Sequence, residues 1–406
     1  MKAISIYTLT SALHDENAVG QMTADFLSQL HIEHDYKHND YSDYGTAPLS
    51  LIFVRTGGTE NLFKSLLPLL CRQAPHPIYL LAAPVNNSLA ASMEMLSYLR
   101  QQGIDGEILH GAPDGLGKRI TALAQMAQAQ RRLRGARLGV VGRPSDWLIA
   151  SHADAQAIND RLGVTLVDID IKELLEIYRD TGLNVNQSTE HAAPSCSLEV
   201  AAAMPDARRL HVALSRLVDR HHLAGLTIRC FDLLDTIHNT GCLALALLNA
   251  SGIVAGCEGD IPAALTMMIS QALLGVTGFQ ANPSAIDRAS RSITLAHCTV
   301  PLNMVQSYEF DTHFESGIGV GIRGYLPKGD ATLFKVSGDL QRAFLAHGVI
   351  TDNTSYPGLC RTQVRITLDS PDPIDNYFLT SPIGNHHIVI PGHHQQLLSE
   401  FVKNIR

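Results

Sequence analysis

The feature that most constrains this chain is an order of patterns. Through residues 1–133, short apolar runs break abruptly into polar or Gly-rich loops, and each loop opens a segment with helical spacing. Residues 3–7 read as a strand and 17–30 as a helix. Leu51-Ile52-Phe53-Val54 is a buried-strand run that ends in Arg55-Thr56-Gly57-Gly58-Thr59-Glu60, ahead of helical spacing over 62–70. Residues 78–82 form the next strand, which passes through Pro84-Val85-Asn86-Asn87-Ser88 into a helix carrying Met93, Leu96 and Leu99. Strand–loop–helix units in series bury their apolar faces as a parallel sheet with helices on both sides.

The polar, basic stretch 127–137 is the predicted boundary, after which the alternation restarts. Residues 138–141 are a strand, Gly142-Arg143-Pro144-Ser145-Asp146 a loop, and 147–150 the start of a helix that Ser145 or Asp146 can cap. Residues 164–169 read as a strand, 210–223 as a helix, and 226–234 as a strand bearing Arg229 and Asp232. Beyond residue 300 the texture changes. Gly317, Gly319, Gly321 and Gly324 punctuate short β-type runs at 332–336, 362–368 and 387–390, which predicts a mainly antiparallel, barrel-like β domain. The expected fold is α/β: a doubly wound parallel-sheet domain over 1–133, a second over 134–300, and the β-rich domain over 301–406.

Composition removes several function classes. A net charge of -8 and the absence of a Lys/Arg block beyond Arg131, Arg132, Arg134 and Arg137 argue against nucleic-acid binding. No apolar run is long enough to span a bilayer, and the N-terminal apolar stretch is too short for a signal peptide, so a cytoplasmic protein is expected. The seven cysteines are odd in number and form no CxxC, which predicts reduced thiols, with neither a disulfide frame nor a zinc-thiolate site.

The chemistry concentrates between 253 and 299. A strand over 253–256 ends in Cys257-Glu258-Gly259-Asp260. Pro262 suits the first turn of a following helix with Asp260 at its N-terminal end, and Gly275 stops it. Residues 279–281 lead to Asn282, and 293–295 lead to His297. Glu258, Asn282 and His297 therefore lie at predicted strand ends, where open parallel sheets bind ligands. Near the C-terminus, Gly384-Asn385-His386-His387 enters an apolar strand, so one histidine can face a site while its neighbour faces away. A carboxylate, an amide oxygen and two imidazoles suit Mn2+, or Mg2+ or Co2+.

Cys257-Glu258-Gly259-Asp260 with its helix, Leu295-Ala296-His297-Cys298-Thr299-Val300-Pro301, and Gly384-Asn385-His386-His387 resemble the L-fucose isomerase and L-arabinose isomerase superfamily. Arg143-Pro144-Ser145-Asp146-Trp147-Leu148-Ile149 and the 55–60 loop resemble segments of a shorter fucose-isomerase-like subgroup. The resemblance implies two α/β domains and one β-rich domain, assembled as homo-trimers or homo-hexamers with sites near subunit contacts. It implies a divalent metal, usually Mn2+, and aldose–ketose isomerisation of a sugar through an enediol, with two acidic groups moving a proton between C1 and C2. Carried over, Glu258 matches the metal-binding acid/base glutamate. His387 matches the C-terminal histidine ligand, with His386 its close alternative, and His297 matches a histidine ligand of the arabinose branch. Asn282 stands where the fucose branch has its second acidic ligand. An amide can bind a metal but is no base, so Asp260 or Asp287 is a candidate for the missing carboxylate.

Other residues carry weaker signals. The loop residues Arg55, Thr56 and Gly57, and Asn86, are candidates for a sugar hydroxyl or an anion, against a plain strand–helix turn. Trp147 is a candidate for stacking on a sugar ring, against ordinary core packing. His313 and Glu315 are candidates for substrate contact, against loop residues. Arg143 and Arg229 are candidates for a phosphate or sulfonate. Cys257 and Cys298 read as small packing residues. Two further functions compete: a metal-dependent epimerase or lyase on a sugar acid or sulfonated sugar, motivated by Asn282, and a non-catalytic sugar-binding protein.

Overall fold

The computed structural model describes residues 2–73, 77–185 and 196–405. The chain divides into two compact units, Met1–Arg131 and Arg132–Arg406. In the first, β1 (Ile4–Leu9), α1 (Glu16–Gln29), β2 (Asp35–Tyr36), β3 (Leu49–Val54), α2 (Glu60–Gln73), β4 (Ile78–Ala82), α3 (Ser88–Gln101), β5 (Gly106–Leu109) and α4 (Pro113–Leu133) follow in order. The strands form an all-parallel sheet in the order β2-β1-β3-β4-β5. β1 and β3 are buried at every residue, as central strands covered on two faces must be.

The basic stretch read as a linker is the last turns of α4. Its Ala, Gln, Leu and Arg residues are strong helix formers, and Met126, Ala129 and Leu133 bury a stripe. The arginines are spent on backbone: Arg131 donates to the carbonyls of Gly45, Thr46 and Ala47, Arg132 to Ala272 O and Arg137 to His221 O.

The second unit begins with β6 (Arg137–Val141), α5 (Ala155–Leu162), β7 (Thr165–Ile169), α6 (Ile171–Arg179), α7 (Leu198–His221), β8 (Gly225–Ile228), α8 (Asp232–Ile237), α9 (Cys242–Ala250), β9 (Val254–Cys257) and α10 (Ile261–Leu274). Its sheet is parallel, in the order β7-β6-β8-β9. Two readings change here. Residues 147–150 form turns rather than a helix: the Leu148 and Ser151 amides bond back three residues, to the carbonyls of Ser145 and Leu148. The strand expected over 226–234 ends at Ile228, and Asp232 opens α8.

The chain then builds β10 (Phe279–Asp287), β11 (Ser292–His297), β12 (Ser307–Asp311), β13 (Gly321–Tyr325), β14 (Gly329–Val336), β15 (Ala343–Asn353), β16 (Thr362–Leu368), β17 (His387–Pro391) and α11 (Gln395–Asn404). Six of these strands close a barrel, β10-β11-β16-β15-β14-β17, through antiparallel pairs, while β12 and β13 form a separate ribbon. The barrel takes its first two strands from residues before 300. Asn282 and His297 therefore lie on barrel strands, not at the ends of a continuing parallel sheet.

Candidate metal centre

The strand β9 stops in a strained turn. Glu258 has φ of 64° and Gly259 φ of 70°, so two successive residues take the left-handed conformation. A Cβ at Gly259 would stand 2.6 Å from Arg143 O, which explains the glycine there. Ser145 N donates to Glu258 O (2.9 Å) and Gly259 N to Ile228 O (2.9 Å), so the turn is held from both sides. Asp260 follows as N-cap of α10, its Oδ1 accepting from Ala263 N at 2.8 Å. Glu258 leaves the sheet into a space bounded by barrel strands. Gln280 on β10 reaches across, its Oε1 accepting from Cys257 N at 2.9 Å.

Three buried ligand atoms converge, from Glu258, His297 and His386, all within 4.8 Å of one another. Glu258 Oε1 stands 3.7 Å from His297 Nε2 and 3.5 Å from His386 Nε2. The other ring nitrogens are occupied: His297 Nδ1 pairs with Thr299 Oγ1 at 3.0 Å, and His386 Nδ1 with Asp260 Oδ2 at 2.8 Å. With Nδ1 carrying the proton, each ring donates to its oxygen partner and turns the Nε2 lone pair toward the group. His386 Nε2 is buried with no hydrogen-bond partner, and a cation at this point would satisfy it. One carboxylate and two imidazoles fit a divalent first-row ion.

The charges of the group act strongly on one another. Burial opposes ionisation of Glu258, but the close approach of His297 and His386 outweighs it and holds the carboxyl well below its usual range. Burial likewise opposes Asp260, yet Lys335 and His386 bring it down to about 2. For His386, burial favours the neutral ring, and the two carboxylates overcome it, raising the imidazole to about 9.

His386, not His387, joins Glu258 and His297. Strand alternation decides between them: His387 shares the face of Val389, which packs in the barrel core, and His386 takes the opposite face. His387 Nε2 bonds to Tyr377 Oη (2.9 Å), its Nδ1 to Asn385 O (2.9 Å), and its ring meets Phe344, Tyr377 and Phe378. Burial lowers it to about 3, so it is a neutral core residue.

The remaining candidates fall in different places. Asn282 lies on the Gln280 face of β10, next to the strand of His386, and its Oδ1 accepts from Asn385 Nδ2 at 3.2 Å. Asp260 backs His386 and is fully enclosed, so it is out of a substrate's reach. Asp287 is not brought to the group. It lies five residues beyond Asn282, about 16 Å along the strand, exposed and bonded to Ser290 and Ala289. Trp147 does approach: its Nε1 donates to Glu258 Oε2 at 2.6 Å, while half of the residue stays exposed. Phe231 meets Trp147 edge-on at 4.9 Å and His313 at 5.7 Å, extending an aromatic wall from the carboxylate. His313 is buried, with Nδ1 on Ser316 Oγ, and Glu315 is exposed on the same turn. The charges of Glu315 and Glu258 both act on the Cys360 thiol, which hydrogen bonding to Cys298 and burial push far up. Arg229 is committed to Asp146 and Asp232, whereas Arg143 is largely exposed.

Arg55, Thr56, Gly57 and Asn86 belong to the first unit, where they tie its loops together. Arg55 pairs with Glu16 (2.8 Å) and Thr10 (2.6 Å), Thr56 Oγ1 accepts from Ser11 N, and Gly57 N donates to Asn86 O. Sequence reasoning missed Thr299, Gln280, Phe231 and Lys335. Only Lys335 left a signal, as a cation among the apolar residues Leu333, Phe334 and Val336. It is fully buried, its Nζ 3.6 Å from Asp260 Oδ2. Cys230 was also missed as a partner of Cys257, their sulfurs 3.0 Å apart.

Among the described residues, no helix is long and apolar enough to cross a membrane. No family model matches the chain. The chain is similar to curated proteins named sulfoquinovose isomerase. That of Clostridium sp. (strain MSTE9) is 26% identical over 264 residues, that of Priestia aryabhattai 22% over 263, and that of Alkalicoccus urumqiensis 21% over 262. Each match covers 62% of this chain and 59% of the relative, so the chain spans about three fifths of the length of the curated relatives it matches.

Proposed function

We propose that the chain is a metal-dependent sugar isomerase that interconverts an aldose and a ketose. The observation that carries this reading is the convergence of Glu258 Oε1, His297 Nε2 and His386 Nε2 on one buried point. The similarity to proteins named sulfoquinovose isomerase supports the reaction class. Mn2+ is the proposed ion, held by Glu258, His297 and His386. When bound, such an ion polarises a carbonyl and stabilises negative charge on oxygen.

The rest is the work of side chains. His297 and His386 favour the ionised form of Glu258, and Trp147 orients it through Oε2 while Oε1 faces the imidazoles. Glu258 takes the proton at one substrate carbon, and the exposed Glu315 is the proposed second carrier in place of Asp260 and Asp287. Trp147, Phe231 and His313 offer an apolar wall for a sugar's C–H face. Asn282 and Asn385 offer amides for hydroxyls. A cytoplasmic homo-trimer or homo-hexamer is proposed for the assembly, which light scattering on the purified protein measures.

The test is ketose formation from a panel of aldoses, with the sulfonated hexose sulfoquinovose included, with and without Mn2+, for the native protein and Glu258→Gln. Metal-dependent turnover lost in the variant is expected. No turnover on any sugar by a folded, Mn2+-loaded protein would remove the proposal. The group holds a single carboxylate, which favours a second reading: a metal-dependent epimerase or lyase on a sugar acid or sulfonated sugar. NMR of the products separates the two.

A further inference from the structure

Lysine inside a barrel needs a reason. Lys335 follows Leu333 by two residues on β14 and shares its core-facing side, flanked by buried Phe334 and Val336. It is 0% exposed, and among the described residues its Nζ has no hydrogen-bond partner. Desolvating an ammonium is expensive, and a Met or Leu of similar volume would pack there without that cost. Among the described residues, its one ion-pair contact is Asp260 Oδ2, at 3.6 Å.

Asp260 is held on three sides. Its Oδ1 accepts from Ala263 N at the start of α10, its Oδ2 accepts from His386 Nδ1, and Lys335 faces that same Oδ2 from the barrel. The carboxylate so fixed decides which way the His386 ring turns. An orienting carboxylate behind a histidine ligand sets both the tautomer and the aim of the opposite nitrogen.

We propose that Lys335 is a positioning residue for the metal ligand His386, acting through Asp260. The line runs from the barrel interior to the group: Lys335 Nζ, the Asp260 carboxylate, the His386 ring, and then Nε2 at 3.5 Å from Glu258 Oε1. Lys335 touches neither metal nor substrate. It keeps Oδ2 where the imidazole must donate, so that the lone pair of Nε2 is already aimed before any ion arrives. This rests on the metal-centre reading above.

The protein contains a single tryptophan, Trp147, bonded to Glu258, so its fluorescence reports Mn2+ directly by paramagnetic quenching. Mn2+ is titrated into the full chain and into Lys335→Met, Asp260→Asn and the double variant. Asn keeps the cap on α10. Lys335→Met is expected to weaken Mn2+ binding by roughly 10–100-fold, the range for orienting partners of a ligand. In the Asp260→Asn background the same substitution is expected to change binding by less than about 2-fold, because the path is already cut. Native-like binding by Lys335→Met, or an equal loss in both backgrounds, overturns the proposal. If Lys335→Met does not fold, Lys335→Gln, one bond shorter but keeping a donor without the charge, carries the same comparison. A folded native protein that fails to bind Mn2+ refutes the metal-centre reading instead.

Discussion

Replacing His386 and His387 one at a time separates two adjacent imidazoles that the fold assigns to opposite faces. In His387→Ala, Tyr377 Oη and Asn385 O each lose a partner, and the ring leaves a space lined by Phe344, Tyr377 and Phe378. Two hydrogen bonds of about 1 kcal/mol each, with a cavity of similar cost, make a loss of roughly 3 kcal/mol. In a body of this size that lowers Tm by roughly 6–12 °C. His386→Ala strands two buried carboxylates, Glu258 and Asp260, for about 3–5 kcal/mol. Both variants thus melt early, and melting alone does not distinguish them. Mn2+ titration followed by Trp147 fluorescence does. His386→Ala is expected to lose more than roughly 100-fold in affinity, since a ligand costs more than its orienting partner. His387→Ala is expected to bind within about 3-fold of the native protein, because its nitrogens already face Tyr377 and Asn385. The reverse ranking would refute the face assignment and with it the three-residue centre.

Three further outcomes follow from the same geometry. Because His386 sits at about 9 without metal, Mn2+ must displace its proton. Affinity should rise by about one decade per pH unit from pH 6.5 to 8.5, with about one proton released per ion in calorimetry; a flat profile would contradict it. In the metal-free protein that protonation stabilises the fold, fully below the free imidazole value of about 6.5, and the contribution is lost as pH rises through 9. Gly259→Ala places a Cβ 2.6 Å from Arg143 O at a φ of 70°; a loss of roughly 3 kcal/mol in denaturant melts is expected, and a loss under about 0.5 kcal/mol would show that the turn relaxes freely. Trp147→Phe keeps the edge contact with Phe231 but removes the bond to Glu258. About tenfold in kcat/KM, with Tm unchanged, is expected after discounting the usual charged hydrogen bond for the half-exposed indole.

Much of the fold was legible because its signals are local. The breaks after Val54 and at Cys257-Glu258-Gly259-Asp260 mark strand ends by composition alone, and Asp260 and Gly275 bound α10 as read. Two of the misreadings turn on tertiary context. The loop at 143–150 looked like a helix start, and nothing in its sequence reveals that it braces the turn at Glu258, more than a hundred residues on, through Ser145 N and Trp147 Nε1. The strands at 279 and 292 looked like continuations of the parallel sheet because a buried strand has the same composition in either sheet type. Their antiparallel partners, β16 and β17, lie far along the chain.

The site divides along the same line. Glu258 and His297 stand at strand ends, where the chain leaves a sheet, and residue type with position was enough to single them out. His386 and His387 stand at a strand start, where the deciding quantity is parity against the barrel interior. Parity is fixed only when β17 pairs with β10 and β14, in the registers Ala281↔His387 and Phe334↔Ile388. A shift of one residue in that pairing would exchange the two imidazoles, carrying His387 to Glu258 and burying His386 against Tyr377. The apolar run Ile388-Val389-Ile390 does not prevent such a slip, since its side chains are nearly interchangeable. The polar pairs at its start do. Asp260, which bonds His386, and Tyr377, which bonds His387, are each satisfied in one register and stranded in the next. The buried polar groups that cost the barrel stability are therefore also the ones that specify which histidine faces Glu258.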